Sequence, residues 1–357
     1  MTRRWTKWVP ALAIPAVVIV GAVMVPLQAG AAGDLPDKTP QQLLEFAASS
    51  KVDALSGTLE QTSNLGLPDL SSITSSMSGS GASGASGEDV SQALDLVTGS
   101  HTARVFIDGS DARMQVMDQL AERDIVASPD GVWFYDSDKQ SAVHLTGSAQ
   151  KKAADLTAPT PQTIANSVLG KIGDTARVTV GKDGSVAGRP AYKLVVTPKD
   201  ADTLIGFISL SIDADTGLAL AAQVNAKGSS DPAFKLAFTQ VTLAAPDASL
   251  FDFTPPAGTD VTEKALPASG GSGEHAKGER AAGIATVGTG WSTVAVVPAA
   301  QVPADVLSSP MLKSVTTAVT GGRLISTALV NVLIADDGRV LVGSVTPDRL
   351  LAAAAGS

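Results

Sequence analysis

The alternation in Ile208-Ser-Leu-Ser-Ile212 says most about how this chain folds. Ile208, Leu210 and Ile212 take one parity and Ser209 and Ser211 the other, the pattern of a strand with one buried face. Asp213-Ala-Asp-Thr-Gly217 supplies the turn, and Leu218 to Val224 returns beside it. Phe234, Leu236 and Phe238 repeat the alternation against Lys235, Ala237 and Thr239. Short strands of the same kind read at Thr102–Asp108, Ala112–Met117, Asp124–Ala127 and Val132–Tyr135. Strands this closely spaced and joined by turns make an antiparallel meander, not βαβ crossovers.

Two helices interrupt the strands. Thr39-Pro40 and Thr160-Pro161 each place a hydroxyl cap before a proline in the first turn. Leu43, Leu44 and Ala47 give the first an apolar stripe, and Ile164, Val168 and Leu169 give the second one. Both amphipathic helices need a sheet to cover.

The N-terminus is of a different kind. Arg3, Arg4 and Lys7 precede a stretch from Trp8 to Ala32 with no charged residue, and Ala29-Gly30-Ala31 has the small-x-small form that signal peptidase accepts. The alternative is an uncleaved helix, since about 20 apolar residues span a bilayer. Either way residues 1–33 act as an export segment, signal peptide or membrane anchor, and send the rest outward.

At 357 residues the chain has room for two domains at about 100–200 residues each. Residues 34–264 form the first, with SSITSSMSGSGASGASG at 71–87 as a flexible insertion. Residues 265–283 are a polar linker and 284–357 a small C-terminal α+β unit. There a strand is expected at Trp291–Val297 and a helix at Ala304–Val319. Strands at Ser326–Ala335 and Val340–Val345 flank an Asp336–Arg339 turn, and Thr346-Pro347 opens a last helix.

Little of the sequence carries chemistry. A net charge of −9 and no basic run beyond the N-terminus argue against nucleic acid as a partner. The absence of cysteine excludes disulfides, thiolate metal sites and a cysteine lipid anchor. His101, His144 and His275 lack metal-ligand or triad spacing. Asp213 and Asp215 are closed off by Thr216-Gly217 before a calcium loop is complete. Gly79-Ser-Gly81-Ala-Ser-Gly84 matches GxGxxG but lacks the flanking strand and helix that would hold a pyrophosphate. No catalytic constellation, cofactor site or metal site emerges. What remains is a set of large apolar side chains on the strands, Phe106, Met114, Trp133, Phe207, Phe234 and Phe238, suited either to a packed core or to a lipid cavity.

Several segments resemble one family. Ile125-Val-Ala-Ser-Pro-Asp-Gly-Val-Trp-Phe-Tyr-Asp136 followed by Gln140-Ser-Ala-Val143 resembles a strand pair of the LolA/LolB-like lipoprotein carriers. Tyr192-Lys-Leu-Val-Val-Thr-Pro-Lys199 is similar to that family's strand ending in T-P-K, and Asp213–Gly217 to the hairpin turn after it. Leu250-Phe-Asp-Phe-Thr-Pro-Pro-Ala-Gly258 resembles its closing F-x-F-x-P-P-x-G signature. The pieces stand in the family's order between Thr39 and Val261. Asp108-Gly109-Ser110-Asp111 departs from it, standing where the carriers have a basic residue and a proline.

The resemblance implies a mainly β (α+β) fold, an open antiparallel half-barrel closed by helices around an acyl-chain cavity. It implies a non-enzymatic partner of lipid or acylated lipoprotein, with the six side chains above lining the cavity. A C-terminal domain is absent from simple carriers. It makes the architecture similar to RseB/MucB-like envelope-stress regulators, which implies an envelope membrane protein as a further partner. The richness in Ala, Gly and Val resembles LolA-related exported proteins of actinobacteria.

Overall fold

The Ile208–Ile212 alternation becomes a strand near one end of a large sheet. In the computed structural model the described residues are 35–66, 99–117, 122–146, 160–170, 172–265, 284–302 and 315–356. The stretch expected to act as an export segment, the 71–87 insertion, residues 266–283 of the expected linker with His275, and most of the helix expected at 304–319 lie outside them.

The first half of the sheet is a meander of β1 (Ala54–Ser63), β2 (His101–Asp108), β3 (Asp111–Met117), β4 (Glu122–Ser128), β5 (Gly131–Asp136) and β6 (Ser141–Thr146). The second comprises β7 (Ala176–Val180), β8 (Gly184–Val186), β9 (Arg189–Pro198), β10 (Ile205–Asp213), β11 (Ala219–Ala226), β12 (Pro232–Thr242) and β13 (Asp260–Ala265). Together they form an open 13-stranded sheet in the order β13-β6-β5-β4-β3-β2-β1-β12-β11-β10-β9-β7, with β8 paired to β9. All neighbours are antiparallel except β13, which lies parallel to β6. That exception has a cause in the chain path. Residues 243–259 leave β12, cross the outer face of the sheet and reach β6 without a tight turn, so no hairpin imposes the antiparallel sense.

The helices α1 (Pro40–Ala48) and α2 (Pro161–Leu169) start as their sequences require. Thr39 and Thr160 both close capping boxes, with Gln42 and Thr163 reaching back to the cap amides. α1 buries Leu43 and Ala47, and α2 buries Ala165 and Val168. These side chains join Tyr192, Leu194, Val196, Ile208, Leu210 and Ile212 in one core, so the helices cover the β7–β11 half of one sheet face. Gln162 also accepts a hydrogen bond from the Ala219 amide at 2.8 Å, seating α2 on β11.

A second, six-stranded antiparallel sheet follows, in the order β14-β15-β19-β18-β17-β16. Its strands are β14 (Ala285–Val287), β15 (Val294–Val297), β16 (Thr317–Val319), β17 (Gly322–Ser326), β18 (Asn331–Ala335) and β19 (Val340–Gly343). The helix α3 (Pro347–Gly356) packs Leu350 and Ala353 onto it.

The sequence expectations differ here in three places. Trp291 lies in a 3₁₀ turn, Gly290–Ser292, because Gly288 and Gly290 take φ of 83° and 65° and break the strand before Val294. Ser326–Ala335 is two strands, since the Thr327 hydroxyl donates to the Val330 carbonyl at 2.8 Å and accepts from its amide at 2.9 Å, closing a turn. Thr317–Val319 is extended rather than helical and turns into β17 through Gly321 at φ 87°.

Candidate functional site

Strand register sorts the side chains between two faces. Val105 pairs with Met114, Met114 with Ile125, Ile125 with Phe134, and Phe134 with Val143, so these share a face. It is the helix-covered face, because Val105 and Met114 pack in a core with Leu55, Leu59, Leu220, Leu236 and Phe238 that Ile164 of α2 also touches. Along the same face lies a further apolar patch. Ala112, Ala127 and Val132 are buried in it, and Ile107, Ile125, Phe134 and Leu145 are partly buried around them. Among the described residues no helix contributes to this patch.

The six side chains singled out from sequence divide between the faces. Met114 and Phe238 are buried on the helix-covered face, and Phe234 packs beside them. Phe106 pairs with Arg113 and Trp133 with Val126, which puts both on the outer face. Phe207 precedes Ile208 of the helix-side core and so also points outward. Trp133 stacks flat on His144, with ring centroids 4.0 Å apart and planes 2° from parallel. It also meets Phe253 at 5.5 Å, and Phe253 meets Tyr135 at 5.7 Å.

The segment Leu250–Gly258 is what covers these outer aromatics. Arg113 on β3 donates to the Leu250 carbonyl at 3.1 Å and to both carboxylate oxygens of Asp124 on β4. Phe251 is buried beside them. Burial is the larger influence on Asp124 and pushes its carboxyl above the usual range, against the lowering effect of the guanidinium. This ion pair therefore ties the crossing segment to the sheet and holds Phe253 over Trp133.

Ile107, Ile125, Phe134 and Leu145 were not singled out from sequence. Val132-Trp-Phe-Tyr135 is apolar at both parities, because the outer face is covered too, and a strand apolar on both faces does not reveal which residue points where. The local signal was the Asp124–Val126 and Arg113–Phe106 parity, legible only once the pairing is known.

Among the described residues no three His, Asp or Glu side chains gather as a metal site. No helix among them is long and apolar enough to cross a membrane.

No family model matches the chain, and no curated protein matches it. Solved structures do. MucB is 17% identical, with 87% of this chain and 95% of that one covered and a TM-score of 0.43. The MucA/MucB complex of Pseudomonas aeruginosa is similar at 15% identity, 87% and 93% coverage and a TM-score of 0.42. A LolA superfamily protein from Nitrosomonas europaea is similar at 11% identity, 61% and 99% coverage and a TM-score of 0.26. The similar structures thus include MucB and LolA-superfamily proteins, the two groups whose pattern the sequence resembles.

Proposed function

We propose that this is an exported, non-enzymatic protein that binds the acyl chains of a lipid or an acylated lipoprotein on the helix-side face of its large sheet. The observation that carries the reading is the apolar patch of Ile107, Ile125, Phe134 and Leu145 over buried Ala112, Ala127 and Val132, to which no described helix contributes. Met114, Phe234 and Phe238 continue it toward the helices. Phe106, Trp133 and Phe207 act from the outer face, supporting the wall rather than touching cargo. Burying an acyl chain is worth about 0.8 kcal/mol per CH₂, so such a surface extracts lipid from a bilayer without covalent chemistry. The export segment places the site outside the cytoplasm, secreted or attached to the cell membrane.

Native mass spectrometry of the protein purified from its own envelope, before and after solvent extraction, tests this. Diacyl lipid or acylated peptide that is lost on extraction supports it, and an empty protein refutes it. Phe134→Asp, which puts a charge on the patch, is expected to abolish the co-purifying mass while the circular dichroism spectrum stays that of the wild type.

A second reading, a sensor acting through an envelope membrane protein, is favoured by one observation. The C-terminal sheet is fixed against the large one: the Leu204 amide donates to the Ser344 carbonyl at 2.9 Å, and the Thr346 amide to the Asp202 carbonyl at 2.8 Å. A change in the large sheet on loading would thus reach a second surface. Retention of a second polypeptide by the empty protein, but not by the loaded one, would support this sensor.

A further inference from the structure

The strand β13 ends the large sheet on the side of the apolar patch, and all six of its residues are exposed. On one edge it pairs with β6 without a bulge; among the described residues no strand pairs with the other edge. Such an edge presents a row of amides and carbonyls that templates a further strand, and natural sheets commonly blunt it with proline, a bulge or a covering segment. The sequence Asp260-Val-Thr-Glu-Lys-Ala265 has no proline, and its exposure shows no covering segment among the described residues.

The ladder with β6 determines which groups face outward. The Asp260 amide donates to the Gln140 carbonyl at 2.8 Å, so Asp260 bonds toward β6. Along a strand the backbone groups of alternate residues point to opposite edges. Thr262 and Lys264 therefore also bond toward β6, while Val261, Glu263 and Ala265 turn their amides and carbonyls to the free edge. Side chains alternate between the faces in the same way. Asp260, Thr262 and Lys264 pair with Ser141, Val143 and Leu145 and lie on the patch face. Val261 and Glu263 lie on the outer face, where Glu263 stands 3.9 Å from His144 Nδ1.

This strand is complementary to a second copy of itself. Opposite residues of an antiparallel pair either exchange both backbone bonds or exchange none, so outward-bonding residues must face one another. Two copies of β13 then pair only in registers centred on a single residue. Centring on Glu263 or Lys264 sets like charges opposite each other, and centring on Val261 pairs only residues 260–262 of the strand. Centred on Thr262, Asp260 of each copy stands opposite Lys264 of the other, and Thr262 meets its own counterpart. These are non-hydrogen-bonded pairs, whose side chains approach more closely, and opposite charges and threonine pairs both stabilise there. Val261 and Glu263 of the two copies exchange four backbone bonds. Among the described residues neither Asp260 nor Lys264 has another ion-pair partner.

We propose that the protein associates through β13 as a two-fold symmetric dimer, a second copy extending the sheet in the register centred on Thr262. The interface is isologous and closes on itself, so it stops at two copies. Its two-fold axis runs perpendicular to the sheet, which puts the apolar patches of both copies on the same face. A single strand pair buries less than the about 1,200 Å² of a standard interface, so association is weak and depends on concentration. The dimer rests on the sheet edge and does not depend on acyl binding.

The chain has no cysteine, so single-cysteine variants of the full chain in a non-ionic detergent report the register without background. Cα atoms of a non-hydrogen-bonded pair are about 4.5 Å apart, within disulfide range. Under mild oxidation Thr262→Cys is expected to form a covalent dimer at least about tenfold faster than Val261→Cys or Glu263→Cys, whose counterparts are offset by two residues. Sedimentation velocity should show a dimer whose dissociation constant rises at least about tenfold in Lys264→Glu, where both charge pairs become repulsive. Asp260→Lys combined with Lys264→Asp restores the complementarity and should return the constant to within about threefold of the wild type. Val261→Pro removes an amide at the free edge, spares the β6 ladder and should also weaken the dimer about tenfold. Circular dichroism spectra matching the wild type show that the variants fold. A monomer at every concentration, cross-linking no faster at residue 262 than at 261 or 263, an exchanged pair no tighter than Lys264→Glu, or a dimer indifferent to Val261→Pro overturns the proposal. Phe134→Asp should leave the dimer unchanged, so failure of the acyl site and failure of this interface are separable.

Discussion

At the scale of single residues, two buried carboxylates respond to pH in opposite directions. Asp213 is fully buried and receives hydrogen bonds from Arg189 at 3.0 Å, from the Thr216 amide at 2.9 Å and from the Thr216 hydroxyl at 2.7 Å. Burial pushes its carboxyl up, but these donors and the guanidinium charge together outweigh it and leave it below the usual range. A carboxyl depressed in the folded state stabilises at pH above its unfolded value, and that contribution disappears as pH falls through the folded one. Asp213→Asn should therefore cost about 2 kcal/mol at neutral pH, less than a fully buried pair because Arg189 is partly exposed. Urea titrations should show the gap between wild type and variant narrowing as pH drops below the carboxylate range. Asp124 is the reverse case. Arg113→Met strands a buried carboxylate and should cost about 3 kcal/mol at neutral pH. Since Asp124 is raised in the folded protein, acidification through its folded value neutralises the stranded group, and the variant should recover part of the loss.

At the scale of elements, the helices depend on caps and close approaches more than on propensity. α1 and α2 are nine residues each, too short to persist alone in water. Thr160→Ala removes a capping box and should lower stability by about 1 kcal/mol. The β10–β11 turn is more demanding. Gly217 has φ of 75°, and a Cβ there would stand 2.5 Å from the Phe46 carbonyl oxygen of α1. Gly217→Ala thus combines backbone strain with a clash against helix backbone and should cost about 2 kcal/mol or more, read as a lower thermal midpoint. By the same reasoning Gly57 of β1 admits no larger residue, because the Phe238 ring lies 2.8 Å from its Cβ position.

At the scale of the molecule, the two sheets melt together or apart according to a few contacts. Trp291 comes from the second unit but is buried in the helix-side core of the first, with its indole nitrogen donating to the Thr175 hydroxyl at 3.1 Å. Ala328, Leu329 and Val330 close over Leu65 and Ala233 at another point, where the Ala328 amide donates to the Leu65 carbonyl at 2.8 Å. Trp291→Ala empties a large core position and should cost about 3 kcal/mol. Because it also cuts the joint, calorimetry should resolve one transition in the wild type and two in the variant.

How far this was legible follows from the range of each interaction. The antiparallel meander, many of its strands and both capped helices could be read from neighbours a few residues apart, since alternation, caps and turns are local; β1, β7, β8 and β13 were not read, and the openness of the sheet was implied only by the family resemblance. Ile208 and Leu210 face the helix-side core as their parity puts them, but the expected one-sided burial does not hold, because Ser209 on the opposite face is buried as well, its hydroxyl donating to the Gln223 side-chain oxygen at 3.4 Å. Where both faces are covered, the pattern is silent. Val132-Trp-Phe-Tyr135 is apolar throughout, and only pairing with β4 and β6 assigns Phe134 to the helix side and Trp133 to His144 and Phe253. The parallel entry of β13, the Arg113 anchor on Leu250 and the burial of Trp291 each join residues more than a hundred positions apart. Nothing local encodes such contacts. They follow from how the chain crosses its own sheet, so the presence of an apolar surface was readable from residue order, while its location was settled by packing.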